Sequence, residues 1–388
     1  MPSSEGSSSP SDPSSLTAGG DRDRVEASAR AQSESASRVV AATGRGPRAP
    51  WNRWSRRIAL VATVPLVLAF VPHFYNNLAL LTTMAVYIVL AEGVNVIYGY
   101  TGYLPFGYVA FFGVGAYGAA LSITYWHSPG FVALLVGGAA AGLIGLVLSP
   151  LLRLSGAYFA LATLAASQVL YYIVVNEPWT LGVNGTSLPL VFSASQTYIV
   201  ALIIVAIAIA TVVFIRESHF GLSLRAIRSD SVSAAMAGVN VVRTRAFAWF
   251  ISATLAGLAG AIWAIMTSAF YAAGPFDIQI SVYAIIFALF GGVRTVLGPV
   301  LGAVALYSLY QYIGISNPQY FELAFGLLIV ALVLFLPGGL SSLVGGSESR
   351  PAWLNRMVAR VSRSSTPPVD VAQADAVGTR ETGDDEAS

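Results

Sequence analysis

Long apolar runs separated by short polar loops fill the middle of the chain, and both ends are polar. No charged side chain occurs between Glu92 and Arg153. Because a membrane-spanning helix needs about 20 apolar residues, the pattern predicts an all-α integral membrane protein with about ten transmembrane helices. The eighth and ninth are short and broken by Gly and Pro, so a re-entrant element is the alternative for one of them. The predicted segments are 58–74, 78–98, 104–125, 130–152, 156–175, 197–215, 246–269, 278–293, 297–313 and 321–338.

The two ends of the chain have the composition of disordered tails. Residues 1–57 and 341–388 are rich in small and polar residues and poor in large apolar ones, and such segments cannot bury a core. We therefore expect one transmembrane domain over 58–340 between two disordered cytoplasmic tails. The first apolar run begins near Ile58, too far into the chain for a signal peptide, so we expect it to remain as an anchor.

Arginines in the short loops predict the orientation. Three arginines at 53–57 precede the first span, which places the N-terminus in the cytoplasm by the positive-inside rule. Ten spans then put Arg153, the 216–245 loop, Arg294 and the C-terminus on that same side. Spans two to five and seven to ten have opposite orientations in this topology, so an inverted repeat is a further hypothesis.

Composition excludes several kinds of chemistry. The chain is 55% hydrophobic and 10% charged, has no cysteine, and carries three scattered histidines, which excludes disulfides and thiolate metal sites and disfavours a histidine metal site. It has no glycine-rich phosphate loop of the ATP-binding type, and its intramembrane acids are too few for a proton relay. We expect neither an enzyme nor a cofactor or metal site in this chain.

The 216–245 loop is the longest polar interruption of the predicted core and holds five of its seven arginines. A helical pattern with a start near Asp230 or Ser231 and a stop at Gly238 predicts one or two short helices. Two functions remain open for them: an interfacial helix anchored on anionic lipid, or a docking surface for a soluble partner. The predicted apolar face consists of Leu222, Leu224, Ile227, Val232, Ala235, Met236 and Val239.

The stretch GYTGYLPFGYVAFFGVGAYGAA at 99–120 predicts a bend. Its first glycines are bunched around Pro105, which cannot donate a backbone hydrogen bond. Small residues every fourth position in 252–268 indicate ordinary helix packing instead. The bend is therefore either a turn near the cytoplasmic side or a glycine-lined wall of a path through the membrane, because broken backbone at membrane depth needs protein or water around it.

Glu92 is the unusual residue of the second segment. An ionisable group within a span normally faces a cavity or a partner. It is either a pore-facing carboxylate that attracts an amino group, or a near-boundary carboxylate that reaches water or pairs with an arginine such as Arg153.

Several segments resemble the LivM-type permeases of branched-chain amino acid ABC importers, over about 75–345. The bend matches that family's Gly-Tyr and Ala-Phe-Phe-Gly pattern, and Asn95 matches a family asparagine upstream of it. Tyr103, Pro105 and Tyr108 depart from the usual polar residues there, so we expect any retuning of the cargo at these three positions. The candidates for the translocation path are Glu92, Asn95, Gly99, Gly102, Tyr103, Pro105, Gly107, Tyr108, Phe111, Phe112 and Tyr117, with core packing as the alternative for the last three.

The 216–245 loop resembles the family's coupling segment, in which a short alanine-rich helix docks into a cleft of the ATPase. Ser229 and Ser233 stand where acidic residues are common in the family, and Arg294 replaces a small residue in a second matching segment. The resemblance assigns ATPase coupling to Arg225, Ala226, Arg228, Asp230, Ala234, Ala235 and Gly238.

The resemblance implies one half of the channel of an importer in the plasma membrane. Its expected partners are a homologous permease subunit, two ATPase subunits that carry ATP and magnesium, an extracytoplasmic solute-binding protein and membrane lipid. The polar loop NEPWTLGVNGTS at 176–187 is either the docking place of that binding protein or an ordinary connection. Expected cargo is Leu, Ile or Val; the alternatives are urea, short amides or other amino acids, or a secondary transporter that works alone.

Overall fold

The computed structural model of the chain describes residues 61–73, 77–177, 186–267, 269–271 and 273–316, with positions 323, 326 and 327. Both predicted tails, most of the predicted segment 321–338 and the centre of the 176–187 loop lie outside the described residues. The predictions made for them stay predictions.

Helices make up nearly all of the described chain, which confirms the all-α class. Two short helices stand where the coupling segment was expected, and a start at Asp230 was correctly predicted for the second. The helices are α1 Val61–His73, α2 Leu78–Val94, α3 Val109–Trp126, α4 Gly130–Val147, α5 Ala157–Asn176, α6 Ala194–Glu217, α7 His219–Ser229, α8 Ser231–Met236, α9 Val241–Met266, α10 Ile278–Gly291 and α11 Gly298–Ser316.

Six of the described helices are long and apolar enough to cross a membrane: α2 with its extension to Gly99, α3, α4, α5, α6 and α9. Helix α10 has 14 residues, or about 21 Å at 1.5 Å per residue, and this is short of a bilayer core of about 30 Å. A re-entrant element over 278–313 therefore stays an alternative to two full spans, and the total of ten spans stays a prediction.

Predicted and observed boundaries differ where the chain turns at the ends of helices. Helix α3 begins at Val109 rather than at 104, because residues 102–108 form the bend. Helix α4 ends at Val147 and is followed by a 3₁₀ turn, Ser149–Arg153, with Pro150 in its first turn. Proline suits this place because it lacks the N–H that a helix interior would need.

Side-chain caps fix several helix starts. Ser193 and Gln196 form a reciprocal capping box at the start of α6, and the carboxylate of Asp277 accepts from the backbone N–H of Gln279 at the start of α10. Such caps satisfy backbone donors that have no partner within the helix.

Close packing through small residues holds α3, α4 and α9 together. Gly115 of α3 lies so close to the backbone of Gly257 of α9 that a Cβ atom would overlap it, and Gly260 lies equally close to the carbonyl of Phe112. The predicted small-residue face of 252–268 is therefore a packing face, as far as the described residue Ala264. Backbones approach this closely in membranes because lipid offers no hydrophobic incentive for helices to associate.

The bundle has two distinct ends. At one end, β1 (Thr186–Ser187) pairs antiparallel with β2 (Ala269–Phe270). Helices α6 and α9 run from this strand pair to the other end, where α7 and α8 connect them. We call this second end the α7–α8 end. The bend at 102–108 and the break between α10 and α11 also lie there.

Candidate functional site

The bend between α2 and α3 is built at the α7–α8 end. Helix α2 continues into a π-helical turn, Asn95–Gly99, and the chain then turns at Gly102, whose φ of +83° favours glycine. Gly107 lies against the backbone of Thr163 in α5, and its N–H donates to Oγ1 of Thr163 at 3.3 Å. The bend is thus a turn at the α7–α8 end of the bundle, and its contacts with α5 hold it in place.

Arg228, near the end of α7, joins the 216–245 segment to this bend. Its Nη1 donates to the carbonyl of Tyr98 at 2.7 Å and also to the carbonyl of Gly99. The guanidinium lies 5.5 Å from the centre of the Tyr98 ring. The carbonyl of Tyr98 also accepts from the N–H of Gly102 at 3.0 Å. Both carbonyls lie at the end of the π-helical turn, where the partial negative charge of the helix end favours a cation. Burial, with the nearby charge of Arg294, lowers the pKa of Arg228 from its usual value.

Asn95 joins the same turn to the break between α10 and α11. Its Nδ2 donates to the carbonyl of Thr295 at 2.9 Å, and its Oδ1 accepts from the N–H of Arg294 at 2.8 Å. Arg294 has a φ of +74°, a backbone conformation that is uncommon for residues other than glycine. Asn95 therefore fixes the π-helical turn against the break between α10 and α11. Of the candidates for the translocation path, it is one with a clear structural role.

Glu92 is fully buried, one turn before Asn95. Its Oε2 accepts from Nδ2 of Asn95 at 3.2 Å, and its Oε1 has no hydrogen-bond partner. Glu92 therefore does not reach water in this structure, and among the described residues its hydrogen-bond partner is Asn95 rather than Arg153. A pore-facing role of Glu92 stays a prediction.

Tyr108 closes the bend against α9. Its hydroxyl donates to the carbonyl of Ser252 at 2.8 Å, and Oγ of Ser252 donates to the carbonyl of Gly93 at 2.7 Å. Tyr108 is buried, as is Pro105, whereas Tyr103 is half-buried. Of the three positions suggested for tuning the cargo, Tyr103 thus has the most accessible side chain.

The aromatic path candidates of α3 pack inside the chain. Phe111 lies edge-on to Trp249 with ring centres 4.9 Å apart, Phe112 lies 6.0 Å from Trp263, and Tyr117 lies 4.9 Å from Phe270. Such aromatic pairs stabilise a core beyond their buried area by about 0.5–1.5 kcal/mol each. Their placement favours the core-packing alternative.

The coupling candidates divide into inward and outward groups. Ala234 is buried, and Asp230 caps α8 by accepting from the N–H groups of Val232 at 2.9 Å and Ser233 at 3.3 Å. These bonds and the Ser233 hydroxyl lower the pKa of Asp230. Gly238 ends the turn after α8 with a φ of +86° and open space around it. Asp230 and Gly238 are exposed, as are Arg225, Ala226 and Ala235.

The predicted apolar face of this segment does not act as one surface. Leu224 and Ile227 of α7 are buried in the bundle, whereas Val232 and Met236 of α8 are 65% and 78% exposed. Together with the exposed Ala235 they form an apolar patch, which we call the α8 patch. Asp230, in an extended conformation, separates α7 from α8. A single helical pattern across both helices therefore could not distinguish the buried positions from the exposed ones.

Two residues of this site were missed from the sequence. Arg245, in the first turns of α9, lies over the ring of Tyr103 with its guanidinium carbon 4.7 Å from the ring centre. Thr295 supplies the carbonyl that Asn95 binds. The sequence shows many arginines in 216–245, but it does not indicate which of them contacts the bend. Only the structure identifies Arg245 as one that does.

Comparison with known proteins gives consistent matches. The family model described as "Branched-chain amino acid transport system / permease component" matches residues 76–333. The permease protein LivM of a high-affinity branched-chain amino acid transport system is 29% identical in Salmonella typhimurium (67% of this chain, 68% of the relative) and 27% identical in Escherichia coli K12 (74% and 75%).

A probable branched-chain amino acid transport permease protein LivH of Methanocaldococcus jannaschii is 25% identical over 69% of this chain and 89% of its own length. No solved structure matches the chain. The family model spans well over half of the sequence and includes the bend, the coupling segment and the break at Arg294. The chain is an integral membrane protein that belongs to the family of permease components of branched-chain amino acid transport systems.

Proposed function

We propose that this chain is a transmembrane permease subunit of an ABC importer that moves Leu, Ile or Val across the plasma membrane. ATP hydrolysis belongs to partner ATPase subunits, and an extracytoplasmic solute-binding protein delivers the cargo. The chain itself supplies a barrier with two states, whose balance the partners change.

The observation that carries this proposal is the contact of Arg228 with the carbonyls of Tyr98 and Gly99. It links the α7–α8 segment directly to the bend, and Asn95 continues the link to the break between α10 and α11. A displacement of α8 by a docked ATPase would thus reach two irregular segments of the bundle at once.

The α8 patch is the proposed ATPase contact. Val232, Ala235 and Met236 are exposed and apolar at the end of the bundle that carries the arginines. A patch of this kind beside a polar rim is typical of protein interfaces. Its position next to Arg228 supports docking over a role as a plain lipid-anchored helix.

A homologous second permease subunit completes the proposed channel. The matches include LivM and LivH proteins of one organism, Escherichia coli K12, at 27% and 26% identity. A chain similar to both fits a channel built from two related halves, and we propose a heterodimer.

The docking proposal is tested by co-purification of the full-length chain with candidate ATPase subunits. Ala235 is exposed, so Ala235→Glu places a charge in the α8 patch without disturbing the core, and we expect loss of the ATPase. Ala194→Glu is the matched control, since Ala194 is an exposed helix-start residue at the opposite end. Equal recovery of the ATPase with both variants would contradict docking at α8.

The cargo proposal is tested in proteoliposomes that contain the complete complex. We expect ATP-dependent uptake of radiolabelled leucine in the presence of the binding protein, and no uptake of urea or acetamide. Uptake by this chain without any ATPase would instead support a secondary transporter.

A further inference from the structure

A crevice at the α7–α8 end is lined by residues of the bend and by both arginines that contact it, but by none of the three residues of the α8 patch. It has a volume of about 670 Å³ and lies where the bend, the start of α5 and the end of α7 meet. Gly102, Ser155 and Gly156 form part of its walls, and Arg228 and Arg245 lie in its lining. Both guanidinium groups therefore border one accessible space.

Two arginines and one carboxylate among the described lining residues leave this crevice with a net positive charge. Asp230 is the single carboxylate among the described lining residues, and both of its oxygens are already engaged by Val232 and Ser233. Nε of Arg245 is buried and has no hydrogen-bond partner. Arg228 uses only Nη1 for the carbonyls of the bend.

Two guanidinium groups with unused N–H donors are suited to a phosphate group. Arginine presents a planar fork of donors that matches phosphate oxygens, and such charge-assisted bonds are about twice as strong as neutral ones. The guanidinium carbon of Arg245 lies 4.7 Å from the centre of the Tyr103 ring. A buried donor without a partner among the described residues needs an explanation, such as a bound ion or water.

The surroundings of the crevice indicate a lipid. Leu154 and Tyr158 flank the residues of α5 that line it and are 41% and 76% exposed, and Phe106 in the lining is 41% exposed. Apolar side chains beside an arginine pair fit a ligand with an anionic head and apolar tails. Basic pockets between membrane helices bind anionic head groups in this way.

We infer that this crevice binds the phosphate head group of an anionic membrane lipid between Arg228 and Arg245. The bound phosphate joins α7 and α9 to the bend, and it therefore stabilises the position in which Arg228 holds the π-helical turn. This inference goes beyond the proposed function, because it concerns regulation by the membrane and does not depend on the identity of the cargo.

The experiment measures lipid retention by the purified full-length chain with native mass spectrometry. The protein is taken from mixed vesicles of phosphatidylglycerol and phosphatidylcholine, and the variants are Arg245→Gln, Arg245→Lys and Arg243→Gln. Arg243 is the matched control because it is exposed, carries the same charge and lies two positions earlier in α9. Unfolding midpoints in lipid-free detergent verify that all variants are folded.

We expect phosphatidylglycerol retention to fall at least fivefold in Arg245→Gln, to fall less in Arg245→Lys, and to stay at the wild-type level in Arg243→Gln. Phosphatidylcholine retention should not change. Equal phosphatidylglycerol retention in Arg245→Gln and Arg243→Gln would overturn the site. If millimolar inorganic phosphate displaces phosphatidylglycerol and binds the crevice as strongly as the lipid does, the assignment of the site to a lipid is overturned.

Discussion

Arg228 in α7 donates a hydrogen bond to the carbonyl of Tyr98 at 2.7 Å, across 130 positions of the sequence. The bond connects α7 to the end of α2, which is long and apolar enough to cross a membrane. Because its acceptors are backbone atoms at an irregular turn, any movement of α7 must either carry the turn along or break the bond. This makes Arg228 the most direct structural connection between the coupling segment and the bend.

Replacing Arg228 with Gln should lower ATP-driven uptake by about tenfold while ATPase binding is retained. A hydrogen bond from a charged donor contributes about 1.5–3 kcal/mol, and 1.4 kcal/mol corresponds to a factor of ten. Arg228→Lys should retain part of the activity, because an ammonium keeps the charge but not the fork. Uptake by the reconstituted complex is the measurement, with Arg243→Gln as the control. Wild-type uptake by Arg228→Gln would show that the contact does not transmit movement.

Removing the Asn95 side chain should destabilise the bundle. Asn95→Ala removes two part-buried hydrogen bonds, one to the carbonyl of Thr295 and one from the N–H of Arg294, and a hydrogen bond of this kind contributes about 0.5–1.5 kcal/mol. Thermal unfolding in detergent should give a clearly lower midpoint.

Asn176→Ala serves as the control for that measurement. Asn176 is exposed and bonds only the carbonyl of Tyr172 within its own helix. Equal midpoints for the two variants would mean that the break between α10 and α11 does not depend on Asn95.

A methyl group at Gly115 should separate α3 from α9. Its Cβ would overlap the backbone of Gly257, which cannot move away as a flexible side chain can. We expect a loss of about 1–3 kcal/mol, the usual cost of an overpacked core. Gly118→Ala is the control in the same helix, since the nearest atom to its Cβ would be 3.2 Å away. The measurement is unfolding by SDS in mixed micelles, and similar curves for the two variants would contradict the packing.

Acid should loosen α8 through its cap. The pKa of Asp230 is lowered by the bonds from Ser233 and Val232, so the ionised cap favours the folded helix. A group with a lowered folded-state pKa contributes fully above its unfolded pKa, and this contribution is lost as the pH falls through the folded value. Helix α8 should therefore be intact at neutral pH and lose protection below the ordinary range of Asp.

Hydrogen exchange at the amides of Val232 and Ser233, corrected for intrinsic rates, measures this effect. Asp230→Asn is the control, because asparagine caps helices well but does not titrate in this range. The same acid-induced loss of protection in Asp230→Asn would exclude the carboxylate as its cause.

The sequence by itself determined the membrane class, the position of the short helices α7 and α8, and the presence of a bend after residue 99. These follow from local properties: the length of apolar runs, the capping preference of Asp230, and glycines bunched around Pro105. Family motifs added the assignment of the coupling segment.

Only the tertiary structure decided which groups the buried polar residues form hydrogen bonds with. Asn95 and Arg294 are 199 positions apart, yet they share a hydrogen bond, and no local pattern encodes that pairing. The sequence left two positions open for Glu92, a pore-facing one and one near water or an arginine, and the packing of the described helices buries it fully. Similarly, Leu224 and Met236 follow one helical pattern, whereas only the packing of α7 against the bundle buries the first and leaves the second exposed. The local sequence determines which helices form, and long-range contacts determine which faces of those helices are buried and which stay exposed for binding.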